Sequence, residues 1–376
     1  MNLGKASEAA LNASRTSNDE ALILYSGGTT GTPKGVRLSN FAINALAIQF
    51  LDVNPKFEAG DVVFSGMPIF HSFGLIMTCH AVLCHGGCCM LVPRFNMNTV
   101  LRDVVKYKCS LIAGVPTLYE AILRASEGKS FDLSFLKEAF CGGDSLPIDL
   151  ENRFNNFLAS NNTDTKLRLG YGLTESVFAV SVVPDRSKPG SSGLPLPDME
   201  IKICIPGTHM DVPVGQTGEI CVCGPTLMMG YLNNPEETET ALQKHNDNKI
   251  WLHTGDLGYL DNDGYLFFVQ RLKRMIVSSG YNVYPSQLEK ILKEHKLVKQ
   301  CCVIGISDPY KGQRAKAFIV LNNAVENTDK AKEEIINYSK KHIAKYAIPK
   351  DIEFRDSLPT TVIGKVDYRT LENEEL

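Results

Sequence analysis

YSGGTTGTPKGV, residues Tyr25 to Val36, is the stretch whose chemistry decides how the rest of the chain is read. Gly27, Gly28, Gly31 and Gly35 leave the main chain without Cβ atoms, so its N–H groups can come close to a ligand. Ser26, Thr29, Thr30 and Thr32 add hydroxyl donors, and Lys34 adds a positive charge. That set suits a polyphosphate. It is not a Walker A loop, in which a Gly-Lys-Ser/Thr run opens a helix: here Pro33 precedes the lysine and Gly35 follows it. Ala21 to Tyr25 and Val36 to Leu38 read as short strands, with Ser39 as N-cap of a helix over Phe41 to Phe50, so the loop joins two strands. Composition alone also fits a flexible surface hairpin.

Working outward, 376 residues are too many for one ordinary core, and two or three domains are expected. Hydrophobic residues at 44% and a net charge of −3 fit a soluble globular class with no global pull toward nucleic acid. No window is apolar and long enough to span a bilayer, Met1 to Glu20 lacks the apolar core of a signal peptide, and cytoplasm is the expected location. The 11 cysteines lack framework spacing, and residues such as Cys221, Cys223, Cys301 and Cys302 sit in apolar, strand-like runs, which reads as reduced, buried thiols. The densest group, His80, Cys84, His85, Cys88 and Cys89, has no paired C-x-x-C spacing, and a zinc site there is set aside.

Short β-like runs then alternate with helical ones, the pattern of an α/β layered domain with a parallel sheet. Asn98 to Tyr107 is amphipathic, Cys109 to Val115 is a buried strand, Pro116 starts a helix through Arg124, and Pro147 to Ala159 leads through a turn into a strand ending near Tyr171. Strands follow at Glu200 to Ile205 and Gly218 to Cys223, then a hairpin turning at Asn262-Asp263-Gly264. Beyond Arg274 a compact α+β set has helices over Pro285 to His295 and Lys330 to Lys345, with strands over Cys301 to Ile306 and Ala315 to Leu321. A domain boundary near Lys273 is expected.

Further motifs follow in order: PIFHSFG (Pro68 to Gly74), CGGDSLP (Cys141 to Pro147), YGLTE (Tyr171 to Glu175), WLHTGDLG (Trp251 to Gly258), QRLKR (Gln270 to Arg274), MIVSSGYNVYP (Met275 to Pro285) and PTTVIGK (Pro359 to Lys365). Together with the opening loop they resemble the acyl-adenylate-forming enzymes, which include acyl-CoA synthetases, 4-coumarate-CoA ligases, firefly luciferase and the adenylation domains of peptide synthetases. The resemblance implies an α/β large adenylation domain, incomplete at its N-terminus, over residues 1–272 and a small mobile α+β lid over residues 273–376. It implies ATP, Mg²⁺ and coenzyme A, with a carboxylic acid as substrate.

By that resemblance the loop from Ser26 to Lys34 binds phosphates, Tyr171 and Gly172 lie against the nucleotide, Thr174 contacts the adenylate phosphate, and Glu175 holds Mg²⁺. Asp256 and Arg271 take the ribose, Lys273 is the hinge, and Lys365 stabilises negative charge as the carboxylate attacks the α-phosphate. His71 stands at the acyl pocket entrance, Gly143 and Asp144 line the adenine and acyl pockets, and Gly280 lies beside the thiol channel. Asp144 and Gln270 depart from the residues common at their positions, and Val277 and Ser279 favour fatty over aryl acids.

Relatives carry a domain-sized stretch ahead of the loop, where this chain has Met1 to Leu24. Either a longer parent chain or a partner is expected to cover what that stretch normally covers. The leading expectation is an AMP-forming acid-thiol ligase. Loading of a carrier-protein phosphopantetheine, or a truncated, weakly active nucleotide- or acyl-binding protein, are the alternatives.

Overall fold

The computed structural model describes residues 14–26, 33–92, 96, 99–184, 188–322, 328–360 and 366–375. The opening motif is flanked as expected by β1 (Glu20–Ser26) and β2 (Lys34–Ser39), antiparallel, with Ser26 opposite Lys34 and Tyr25 opposite Gly35. A Cβ at Gly35 would lie 3.1 Å from both Ile23 and Leu232 side-chain carbons, so glycine lets three segments close up there. Ser39 caps the helix Asn40–Val53, its Oγ accepting the Ala42 N–H at 3.1 Å.

Packing divides the chain into two units, Met1–Thr254 with Tyr259–Phe268, and Gly255–Gly258 with Val269–Leu376. In the first, β3 (Val62–Ser65), β4 (Cys88–Leu91), β5 (Leu111–Gly114), β6 (Glu138–Cys141) and β7 (Leu167–Tyr171) run parallel in the spatial order β4-β3-β5-β6-β7. The antiparallel pairs β8 (Ser181–Val182) and β9 (Leu194–Pro195) extend that sheet beyond β7. Successive residues alternate between two cores. Phe64, Ile112 and Ala139 pack with Tyr119 and Phe154 on one side, while Val63, Leu111, Ala113 and Phe140 pack with Phe50 and Phe73 on the other. Both faces being covered explains the continuous apolar runs. Arg168 ties this sheet to the end of the Asn40–Val53 helix: it meets Glu138 at 3.0 Å and donates to the Val53 and Val183 carbonyls.

A mostly antiparallel sheet follows, from β10 (Glu200–Cys204), β11 (Gly218–Cys223), β13 (Leu242–Lys244), β14 (Ile250–Leu260) and β15 (Leu266–Arg271), while β12 (Gly230–Tyr231) joins β2. The turn at 262–264 lies between β14 and β15, with the Gly264 N–H donating to the Asp261 carbonyl at 3.0 Å.

The second unit carries β16 (Ile276–Ser278), β17 (Tyr281–Val283), β18 (Val298–Asp308), β19 (Gly312–Leu321) and β20 (Asp351–Phe354), ordered β17-β16-β19-β18 with β20 parallel to β19. Helices Pro285–Lys293 and Thr328–His342 supply Leu288 and Ile335 to a core with Val303, Ala317 and Ile319. Both helices stop short of the sequence expectation, at 293 and not 295 and at 342 and not 345. The α/β class with a larger and a smaller domain stands.

Of the cysteines, Cys84 and Cys88 are exposed, which corrects the reading of the thiols as uniformly buried; none forms a disulfide. Elsewhere burial pushes Cys89, Cys109, Cys301 and Cys302 up to about 12, so these remain thiols at neutral pH. No helix among the described residues is long and apolar enough to cross a membrane.

Candidate active site

Three expected site segments leave the carboxyl ends of strands of the one parallel sheet, the edge where open α/β sheets carry their ligand crevice. His71 follows β3, Gly143 and Asp144 follow β6, and Thr174 and Glu175 follow β7. His71 is exposed, and its Nδ1 accepts the Phe73 N–H at 3.2 Å, which puts the proton of a neutral ring on Nε2. Ile69 and Phe70 beside it are exposed as well. Gly143 has φ 74°, and Asp144 is exposed with Oδ1 accepting the Ser145 N–H at 2.9 Å. Burial pushes the neighbouring Cys141 thiol far up, which removes it as a nucleophile.

A second group joins β2 to the YGLTE segment. Lys34 Nζ meets Glu237 Oε2 at 2.5 Å and lies 4.8 Å from the centre of the Tyr231 ring. The Tyr231 hydroxyl in turn donates to Glu175 Oε1 at 3.0 Å. Main-chain bonds hold these parts in register: Leu232 N–H to the Gly35 carbonyl, Met229 N–H to the Arg37 carbonyl and Met228 N–H to the Glu175 carbonyl, at 2.7, 2.8 and 2.8 Å. Residues 228–232 thus bridge β2 and Glu175, and they bring Ser26, Lys34 and Glu175 into one neighbourhood. Tyr231 and Glu237 were not found from the sequence; the local signal at Asn234-Pro235-Glu236-Glu237 announces only a helix start, whose acidic first turn complements the helix dipole.

β7 stops at Tyr171, where the sequence reading ends it, and Thr174–Ser176 form a 3₁₀ turn beyond it. The residue after that turn reverses the chain. Val177 has φ 63° and ψ −51°, and the Phe178 N–H reaches the Ser176 carbonyl at 2.7 Å, a positive-φ γ-turn centred on a buried β-branched residue. This reversal brings the Phe178 carbonyl so close to Gly172 that an added Cβ would lie 1.8 Å from its oxygen. Tyr171 is buried and stacks on Phe268 with ring centres 6.0 Å apart.

Within the second unit, Asp256 is 1% exposed and pairs with Arg271, Nε to Oδ1, at 2.9 Å. Gly280 forms with Ser279 the two-residue turn of the β16–β17 hairpin, both with positive φ (78° and 53°), which marks a type I′ turn. Lys273 is exposed in the single helical turn Leu272–Arg274. Arg274 next to it is held charged: burial opposes the charge, but Glu289 at 2.5 Å raises its pKa. Gly27, Gly28, Thr29, Thr30, Gly31, Thr32 and Lys365 lie outside the described residues.

Glu175 passes a test as a holder of Mg²⁺. It is a half-buried carboxylate, a hard oxygen donor already oriented by the Tyr231 hydroxyl, and Mg²⁺ characteristically takes one or two carboxylates alongside substrate phosphates.

The family model described as AMP-binding enzyme matches residues 3–232, and the one described as AMP-binding enzyme C-terminal domain matches residues 287–365. The chain is 35% identical over 364 residues to a long-chain-fatty-acid–CoA ligase of Bacillus subtilis (strain 168), covering 95% of this chain and 62% of that protein. It is also 35% identical over 355 residues to a feruloyl-CoA synthase of an Amycolatopsis species, covering 93% of this chain and 68% of that one. Among solved structures, ATP-bound MatB from Rhodopseudomonas palustris matches with a TM-score of 0.84 and 27% identity, over 98% of this chain and 72% of that chain. The chain therefore spans about two thirds of the length of these relatives.

Proposed function

The chain belongs to the AMP-binding enzyme family, and from that premise we propose that it carries the chemistry of an AMP-forming acid-thiol ligase. The carboxylate oxygen of the acid attacks the α-phosphorus of ATP, the bond to the β-phosphate oxygen breaks, and acyl-AMP and pyrophosphate result. The thiol of coenzyme A then attacks the acyl carbon, and AMP leaves. In this reading Ser26, the residues 27–32 and Lys34 bind the phosphates, Thr174 contacts the phosphate under attack, and Lys365 supplies positive charge to it. Glu175 would hold Mg²⁺, which when bound neutralises phosphate charge.

Asp256 and Arg271 bind the ribose, Tyr171, Gly172, Gly143 and Asp144 form the nucleotide wall, His71 borders the acyl entrance, and Gly280 borders the thiol path. Residues 273–376 act as a lid turning at Lys273, so that one site serves both half-reactions. The observation that carries the reading is the bridge from Lys34 through Tyr231 to Glu175, because it sets a cation and a metal-type carboxylate side by side after a glycine-rich loop.

We assign a fatty acid as substrate, supported by the Bacillus subtilis ligase and by Val277 and Ser279 in the segment after the hinge. A cytoplasmic setting is part of the proposal and suits 11 cysteines without a disulfide. The test is isotope exchange between ATP and pyrophosphate with fatty acids of graded length and with ferulate, followed by thioester formation with coenzyme A or a carrier protein. Exchange that does not depend on any acid, in this chain and in a longer protein containing it, overturns the proposal. Lys365→Ala is expected to lose adenylation with ATP binding kept; full adenylation would remove Lys365 from its role.

A further inference from the structure

The sheet that carries β11, β13 and β14 holds a histidine cluster that the ligase chemistry does not use. His209 lies in the segment between β10 and β11, His245 directly follows β13, and His253 lies on β14. One ring nitrogen from each falls within 4.8 Å of the others. Nε2 of His245 and Nε2 of His253 are 2.9 Å apart, and the His209 and His245 rings stack with centres 4.1 Å apart.

The hydrogen bonding around His253 is that of a ligand imidazole. Nδ1 of His253 faces Glu219 Oε2 at 3.0 Å, with both side chains almost wholly buried. A carboxylate there fixes the Nδ1–H tautomer and turns the lone pair of Nε2 toward His245, the arrangement that orients metal-bound histidines. Two facing Nε2 atoms share one proton. His245 is 4% exposed, and its Nδ1 is buried with no hydrogen-bond partner among the described residues. A buried, half-satisfied imidazole costs free energy and calls for an explanation. His209 is the exposed member, its Nε2 2.8 Å from Gln243 Oε1, and it leaves the site an entrance from solvent.

We propose that His209, His245 and His253 form a binding site for a divalent first-row transition metal of the zinc class. Three imidazoles with a fourth position left to water is a donor set such ions favour, and ligand nitrogens at about 2.0–2.1 Å from zinc stand roughly 3.3 Å from each other in a tetrahedron. The 2.9 Å pair therefore needs to open by only a few tenths of an ångström, while the two facing rings turn toward a common ion and the exposed His209 ring swings out of its stack on His245. Glu219 and Cys221 both face Nδ1 of His253, the opposite ring nitrogen, and act as its support and not as ligands. The ion clamps the segment before β11 to the β13–β14 hairpin.

The test uses the purified chain, stripped with a chelator and titrated with Zn²⁺ alone by calorimetry, with Co²⁺ as a visible probe of tetrahedral coordination. One equivalent is expected, with tetrahedral Co²⁺ bands and a rise in melting temperature on loading. His209→Gln, at an exposed position that does not endanger folding, lowers the affinity by at least the roughly 10–100-fold typical of losing a supporting group. Cys84→Ser with Cys88→Ser leaves it unchanged. Absence of stoichiometric binding, full binding by His209→Gln, or loss of binding in the double cysteine variant each overturns the proposal.

Discussion

Gly172→Ala is the sharpest probe of the site's construction. An ideal Cβ at residue 172 would sit 1.8 Å from the Phe178 carbonyl oxygen and 2.6 Å from the Ala179 Cα. An ordinary carbon–oxygen contact is about 3.3–3.6 Å, so one strand of this reversal has to move by roughly 1.5 Å. Both obstructing atoms are main chain, and no side chain can swing aside. Overpacking costs about 1–3 kcal/mol, and backbone against backbone belongs at the upper end. The alanine returns about 0.4–1 kcal/mol by restricting the unfolded chain, leaving a net loss of roughly 2 kcal/mol.

For a unit of this size that is a fall of about 4–8 °C in melting temperature. Because Thr174 and Glu175 lie inside the displaced reversal, a shift of about 1 Å also costs on the order of 100-fold in ATP–pyrophosphate exchange. Thermal melting and exchange are measured on the same preparation, with Gly142→Ala as melting control because a Cβ there meets nothing nearer than 3.5 Å. A Gly172→Ala chain that melts within about 1 °C of wild type refutes the packing argument. One that melts low yet exchanges within about two-fold of wild type refutes the link from this reversal to the site.

Tyr231→Phe keeps the ring beside Lys34 but removes the hydroxyl from Glu175; a hydrogen bond to a charged group is worth about 1.5–3 kcal/mol, and the half-exposed setting puts the rise in the MgATP KM near ten-fold. An unchanged KM at limiting Mg²⁺ would detach Glu175 from the metal. Arg168→Met removes the guanidinium that faces the Glu138 carboxylate, 5% exposed, in the sheet interior, and urea unfolding is expected to show a loss of about 3 kcal/mol. In the second unit, hydrogen bonding from Lys316, assisted by Arg355, holds Glu353 below its ordinary 4.5. Its contribution to stability is complete above pH 4.5 and is lost as pH falls through the lower folded value, so Glu353→Gln flattens the acid limb of a circular-dichroism titration below pH 4.5 and leaves the slope near pH 7 unchanged.

The parallel sheet was legible because its strands are short apolar runs such as LIAG and EAFC, and Ser39 was legible as a cap because its partner Ala42 is three residues away. The Lys34–Glu237 pair was not legible: 203 residues separate the partners, and nothing local to either announces the other. Nor was the reversal at Val177. Valine is among the residues least suited to positive φ, so nothing local announces a reversal there, and only the surrounding packing overrides that preference. The histidine cluster escaped for a related reason, since 209, 245 and 253 come together through the pairing of β11, β13 and β14 and not through spacing. Helix ends were misjudged by two or three residues, since neither helix is followed at once by a glycine or proline that would mark the stop.

His71, Asp144 and Glu175 reach their end of the sheet on separate connections after β3, β6 and β7, while the strands themselves are locked by two cores and the Arg168–Glu138 pair. Lineages can therefore alter one connection without unsettling the others or the sheet beneath.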